Sequence, residues 1–347
     1  MHSLLQPTLA TALSALVIAT SALAIEAPKS VDTFTAKIEN DVVGGSDSRY
    51  TSGIEFTWGR SQLVPRDGES IRAHNLAQFG HFLLGARSDA IATGSSLSIG
   101  QKTFTPKSVW ETKRIPGDRP YAGWLYINFG YHERSPSQTR SISLTIGTVG
   151  PQSFAKDFQK GFHQLIDSYV PAGWDNQIEN EIGVNIVSRI DKSLFRGHLP
   201  NDRALEIRRV HELVLGTVNA SYRTGFNARL GRQIPSAFSS PRIQNSGHAT
   251  LSSNDFDYTD LHFEPHKRFY WTAGANVSYI AKNLFIEGGR SSGEYEIEKS
   301  DLVGEVELGF THETKRLRLS FSYVYRTKEF KEQGSGQGFG SLAITLL

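Results

Sequence analysis

Two groups of residues have types and spacings that could do chemistry. In the first, Gln159, His163 and Asp167 stand four residues apart. On a helix such residues form one stripe, which sets a potential base between an amide and a carboxylate. A neighbouring carboxylate can orient an imidazole and raise its basicity, so His163 could take a proton from water. The same stripe also suits the solvated face of a surface helix, and spacing alone does not separate the two. In the second group, Asn40 and Asp41 close one apolar-polar run, and Thr51 opens the next. Their oxygens are hard ligands of the kind calcium takes, and a cation there could polarise an ester carbonyl. Asn and Asp are equally common as turn residues. Asp41 and Asn40 are the candidate metal ligands, with Asp167 as a further one. Water activated by a base such as His163 is the preferred nucleophile. Lys102, Lys107, Lys113, Arg114 and Arg119 flank one connection. They could meet phosphate groups, or simply make a basic loop above anionic headgroups.

The first group needs a helix. Phe154, Phe158, Phe162, Leu165, Ile166 and Tyr169 recur every three or four residues, one apolar stripe of about five turns. Pro151 and Ser153 can start it and Pro171 stops it. The second group needs a hairpin that brings Asn40, Asp41 and Thr51 to one rim. Alternation sends Asp41 and Thr51 to the polar face, opposite Phe34, Ala36, Ile38, Ile54 and Phe56. Asn40 then faces the other way unless the strand ends or bulges there.

The rest of the chain alternates in the same manner. Leu317, Leu319, Phe321, Tyr323 and Tyr325 fall on one face, and Arg318, Ser320, Ser322, Val324 and Arg326 on the other. Thirteen candidate strands lie near 32–41, 50–60, 94–104, 121–133, 139–149, 178–190, 206–217, 219–231, 268–281, 283–291, 300–313, 315–327 and 338–347. Arg, Asn, Ser and Gly fill the polar faces and aromatic residues gather near strand ends, which favours an outer-membrane barrel over a soluble sandwich. The fold class is therefore all-β, an antiparallel transmembrane β-barrel with a helix in an extracellular loop. Single-chain barrels have an even strand count, so twelve strands are expected. Three connections exceed simple turns: 61–93, with an apolar helical pattern at Ile71, Leu76, Phe79 and Leu83; 151–177; and 233–267, which is polar and reads as flexible.

Composition excludes several classes. The 347 residues include no cysteine, which removes disulfide scaffolds and thiolate zinc sites. A net charge of +2 leaves no footprint for nucleic acid. Residues 1–24 read as a signal peptide that ends Ala22-Leu23-Ala24, and 25–347 as the barrel domain, with the helix near 152–170.

Several motifs follow one another in a telling order. Glu39-Asn40-Asp41 precedes Arg49-Tyr50-Thr51-Ser52-Gly53, then Gly117-Asp118-Arg119-Pro120-Tyr121-Ala122-Gly123-Trp124. Gly147-Thr148-Val149-Gly150-Pro151 leads into the helix with Gln159 and His163, followed by Gly173-Trp174-Asp175-Asn176-Gln177. Tyr325-Arg326-Thr327-Lys328-Glu329-Phe330 and Phe339-Gly340-Ser341 close the series. In this order the chain resembles the lipid A 3′-O-deacylases of the Gram-negative outer membrane, the LpxR family. The resemblance implies a twelve-stranded barrel with a calcium-dependent hydrolase site at its outer rim, which releases the 3′-linked acyloxyacyl group of lipid A. It implies that His163, Gln159, Asn40, Asp41 and Thr51 are the site residues. It gives Asp167 as the carboxylate nearest the family's acidic position, and Lys113 or Lys107 as the loop lysine. Lys102, Lys113, Arg114 and Arg119 would bind substrate phosphates. The partner is lipid A or lipopolysaccharide in the outer leaflet, and a membrane-embedded monomer is expected. The alternatives are an outer-membrane phospholipase and a non-enzymatic barrel or pore.

Overall fold

The structure, a computed structural model, describes residues 30–41, 49–63, 90–165, 167, 169–201, 203–232, 234–235, 242–243, 268–289 and 297–347. Twelve strands make up the wall among the described residues. They are β1 (Ser30–Asn40), β2 (Arg49–Leu63), β3 (Ala92–Thr105), β4 (Ala122–Arg134), β5 (Gln138–Val149), β6 (Glu181–Leu199), β7 (Arg203–Gly216), β8 (Asn219–Arg232), β9 (Arg268–Asn283), β10 (Leu302–Glu313), β11 (Leu317–Arg326) and β12 (Gln337–Leu346). Each pairs antiparallel with its neighbours, and β1 closes the barrel on β12, with Phe34 opposite Leu346 and Asn40 opposite Gly340. Closure satisfies every edge, as a wall in hydrocarbon must. Connections therefore alternate between two ends. The upper end carries 41–48, 106–121, 150–180, 217–218, 284–301 and 327–336; the lower end carries 64–91 and 233–267 with three short turns.

The two faces follow the alternation. Phe56, Trp58, Ile99, Ile127, Ile146, Trp271 and Leu308 are exposed on the outside, as are Leu317, Leu319, Tyr323 and Tyr325. Arg318, Ser320, Ser322 and Arg326 are buried inside. Burying a charge is costly unless it is paired, and the lumen pairs its charges. Arg189 bonds Asp191 at 2.8 Å and Glu212 at 3.2 Å. Glu313 holds Arg318 at 2.6 Å and Arg268 at 3.0 Å. Glu305 gathers Arg223 at 2.8 Å, Arg326 at 2.7 Å and Arg242 at 3.1 Å.

Two expectations change. Among its described residues the segment 283–291 is not a separate strand: Asn283 ends β9, and Leu284–Glu287 form a short helix, capped by the Asn283 side chain and ended by Gly288 at φ 82°. Leu284, Phe285 and Ile286 are all buried, so this apolar run does not alternate. Phe285 stacks on Phe104 at 4.2 Å and closes over the upper lumen. The helix of the 150–180 connection, α1 (Ala155–Leu165), has 11 residues, about three turns rather than five. Of the 233–267 connection, read as flexible, Ile234, Pro235, Arg242 and Ile243 are described and buried, and the rest lies outside the described residues. The helical pattern at 71–83 and the signal peptide lie outside the described residues.

Candidate active site at the upper rim

The Asn40, Asp41 and Thr51 group forms where β1 meets β2. The pairing sets Asn40 opposite Ser52 and Glu39 opposite Gly53. Ile38 is 51% exposed and Glu39 1%, so β1 still alternates as it reaches the rim. Asn40 is half-buried on the outward parity and Asp41 is buried. Strict counting back from outward Ile54 would turn Tyr50 outward and Thr51 inward. A β-bulge between Tyr50 and Ser52 breaks that count, as bulges do when they re-aim a side chain. Tyr50 is instead packed inside, 5.4 Å from Phe104 and 5.2 Å from Phe339. Thr51 Oγ1 hydrogen-bonds Thr105 Oγ1 at 2.7 Å. The Thr51 carbonyl accepts from Asn40 Nδ2 at 3.2 Å and from the Asp41 amide at 3.3 Å. Asn40, Asp41 and Thr51 are thus one hydrogen-bonded unit, and the amide orientation leaves Asn40 Oδ1 as an acceptor.

The Gln159 and His163 group is carried by α1. A 3₁₀ turn at Pro151–Ser153 precedes it, after Gly150 at φ 92°, a left-handed backbone that favours glycine. Gln101 Nε2 of β3 donates to the Ser153 carbonyl at 2.6 Å. A Cβ on Gly123 of β4 would overlap Ser153 and Ala155. Gln101 and Gly123 lie on the outward parity of their strands, so α1 lies against the outer face of the wall. Its polarity is inverted relative to a helix on a soluble protein. Phe154, Phe158, Phe162 and Leu165 are exposed, Phe158 at 45%, whereas Gln159 and His163 are buried, His163 at 5%. The stripe that could have been a solvated face is the face turned to the protein.

Neighbouring loops fix both buried side chains. Trp174 Nε1 donates to Gln159 Oε1 at 2.8 Å, and Trp174 packs on Tyr121 at 5.0 Å. His163 Nδ1 lies 2.6 Å from the Tyr169 carbonyl. A carbonyl only accepts, so Nδ1 carries the hydrogen and Nε2 the lone pair of the neutral ring. Tyr169 OH donates to the Trp110 carbonyl at 3.4 Å, and the Ala172 amide to Val109 at 2.9 Å. The 106–121 and 150–180 connections therefore interlock around the histidine.

The other candidates separate. Asp167 lies beyond the end of α1 with φ 54° and is exposed, so the i, i+4 stripe stops at His163. The role expected of that carboxylate, orienting the imidazole, is filled by a backbone carbonyl. Lys102 is buried in the lumen, 5.9 Å over the Trp124 ring. Arg119 is buried too, bonded to Glu329 at 3.2 Å and 4.7 Å over the Phe104 ring. Burial lowers its pKa below the usual arginine value, opposed by Glu329 and Asp118. Lys113 is exposed and Arg114 half-buried on the same connection. No cluster of three His, Asp or Glu ligands occurs among the described residues. The oxygens around Asp41, with one carboxylate and neutral donors, fit a weak calcium site better than a zinc site. Sequence reasoning missed Thr105, Trp174 as the partner of Gln159, and the Tyr169 carbonyl. Trp174 stood in a quoted motif; a carbonyl leaves no mark on a sequence.

A closed barrel with an apolar outer belt, a charged lumen and a helix laid against its outer rim defines an outer-membrane β-barrel. Residues 8–346 match the model of a family described as outer membrane protein LpxR, and the chain belongs to that family. The structure of LpxR from Salmonella typhimurium is similar, with a TM-score of 0.68 at 17% identity, covering 91% of this chain and 99% of that one. The β domain of the Bordetella autotransporter BrkA covers 92% of this chain and 100% of its own at 11% identity, with a TM-score of 0.46. No curated protein sequence matches.

Proposed function

We propose that the protein is a lipid A 3′-O-deacylase, a carboxylic ester hydrolase of the outer membrane. One observation carries the reading: His163, with its tautomer set by the Tyr169 carbonyl, is buried on the wall side of a helix whose other side is apolar and exposed. An ester at the bilayer surface can reach such a base while its acyl chains stay in an apolar setting. His163 Nε2 takes a proton from water as the water oxygen attacks the ester carbonyl. The tetrahedral carbon then expels the sugar oxygen, which leaves as the alcohol after receiving that proton, and the fatty acid is released. A positioned base contributes about 10²–10⁴-fold. Gln159, clamped by Trp174, lies on the same buried face of α1 as His163. Asn40 Oδ1, the Asp41 carboxylate and Thr51 are the groups that would hold calcium, which would supply charge for the developing oxyanion. With one carboxylate in that set, calcium should act at about 10⁻⁴–10⁻³ M. Lys113 and Arg114, on the exposed side of the 106–121 connection, would meet substrate phosphates.

The test is mass spectrometry of lipid A from cells that express the wild type or His163→Ala, with and without calcium chelation. Loss of the 3′ acyloxyacyl mass by wild type alone, in free calcium, supports the reading. Equal loss in both proteins removes His163 from the mechanism. Unchanged lipid A with released phospholipid acyl chains replaces the reading with a phospholipase.

A further inference from the structure

The residues immediately beside Asn40 and Thr51 face the lumen and are bound to one another. Tyr50 OH donates to Glu39 Oε2 at 2.6 Å, and the Ile243 amide donates to Glu39 Oε1 at 2.8 Å. Glu39 precedes Asn40, and Tyr50 precedes Thr51. Gly53, opposite Glu39, leaves the space: a Cβ there would overlap the Tyr50 hydroxyl and press on Ile243 Cδ1 at 3.1 Å. Gln337 pins the backbone of Tyr50, accepting from its amide at 3.2 Å and donating to its carbonyl at 3.1 Å.

Ile243 belongs to the connection between β8 and β9, which starts at the lower end. Its Ile234 packs there with Ala204 and Tyr270, and Arg229 bonds the Pro235 carbonyl at 2.7 Å. By Arg242 the chain has reached the upper lumen. Arg242 pairs with Glu305 at 3.1 Å, lies 5.3 Å over the Phe339 ring, and its carbonyl accepts from Lys37 Nζ at 3.4 Å. Its guanidinium anchors the next residue's amide where Glu39 needs a donor.

We propose that Glu39 and Tyr50 are positioning residues for the Asn40–Asp41–Thr51 unit, and that the β8–β9 connection completes this brace from inside the barrel through the Ile243 amide. The proposal rests on the reading of that unit as part of a hydrolase site. The brace acts from the inner face of the wall, whereas the reacting groups lie on the rim and outer face. A bulge is where a strand is least held by its ladder, so the Tyr50–Glu39 bond supplies the fixing that the bulge gives up.

Tyr50→Phe keeps the ring and removes only the hydroxyl. On purified lipid A in mixed micelles, kcat should fall roughly tenfold, the order of one hydrogen bond to a charged group, with KM changed by less than about twofold. The chain has no cysteine, so a nitroxide on Ser52→Cys reports the rim directly. Its spectrum should show greater mobility in Tyr50→Phe, and also in Ile243→Pro, which deletes the amide hydrogen. Glu39→Gln, which keeps the shape, is the second variant, and heat-modifiable gel migration confirms folding. An unchanged kcat and an immobile label in folded Tyr50→Phe and Glu39→Gln overturn the brace and leave the hydrolase standing. If the wild type leaves lipid A intact, the hydrolase reading falls, and the label alone decides the brace: loosening supports it, immobility overturns it.

Discussion

The lower lumen and the space under α1 both bury polar side chains, and they do so in opposite ways. In the lower lumen, Glu206 sits between Arg208 at 3.0 Å and Arg229, and Arg229 also lies 5.7 Å over the Tyr270 ring. Each charge there is answered by another charge of the wall. Under α1 the bonded groups are neutral: an imidazole on a carbonyl and a glutamine on an indole. Gln159 Nε2 is buried with no hydrogen-bond partner among the described residues. Charges that neutralise one another hold a barrel shut but offer nothing to a substrate. Neutral groups with defined tautomer and amide orientation keep lone pairs and donors available for a reaction. That contrast separates a structural use of buried polarity from a chemical one.

Removing the base should give the largest effect. His163→Ala should lower deacylation by about 10²–10⁴-fold while its unfolding midpoint in denaturant stays near wild type. A barrel that lost stability in step with activity would erase the distinction between the two regions. In the lower lumen the opposite pattern is expected. Glu206→Ala removes the carboxylate that Arg208 and Arg229 share and should cost about 3–5 kcal/mol in unfolding experiments, with kcat of the folded protein preserved. A large fall in its kcat would show that the regions are coupled. Trp174→Phe probes the neutral bonding: losing the indole donor should reduce kcat roughly three- to tenfold, with little change in melting temperature. Asp32→Ala gives the smallest effect, because its pair with Arg60 at 2.6 Å is exposed on both sides. Such a pair is worth less than about 1 kcal/mol, and denaturant titration should barely register its loss.

Much of the wall was legible because a period of two is a local property. The alternation at 317–326 and at 219–232 appears in the structure as written, and the even-number rule gave the right count although it did not say which candidate was surplus. The surplus was 283–291, where three successive apolar residues were read as part of a strand and are in fact packed inward together. The α1 helix was legible as a period of three to four, but its orientation was not. An amphipathic pattern says that two faces differ; the solvent outside decides which face is turned away. Next to a lipid phase the apolar face goes out, and His163 goes in. Asp167 failed as a partner because the helix ended two residues before it, a boundary that periodicity does not set.

The sequence by itself determined the barrel and the strand count, and it named candidates for the site, because side-chain type and local period are written residue by residue. The tertiary structure alone decided three things. The bulge at Tyr50 shifted one strand's parity, Tyr169 offered a backbone carbonyl to the histidine, and residues 242–243 crossed to Glu39 from the far end of the lumen. Each depends on where backbone groups meet across more than a few residues of chain, and every residue type but proline carries the same backbone amide and carbonyl.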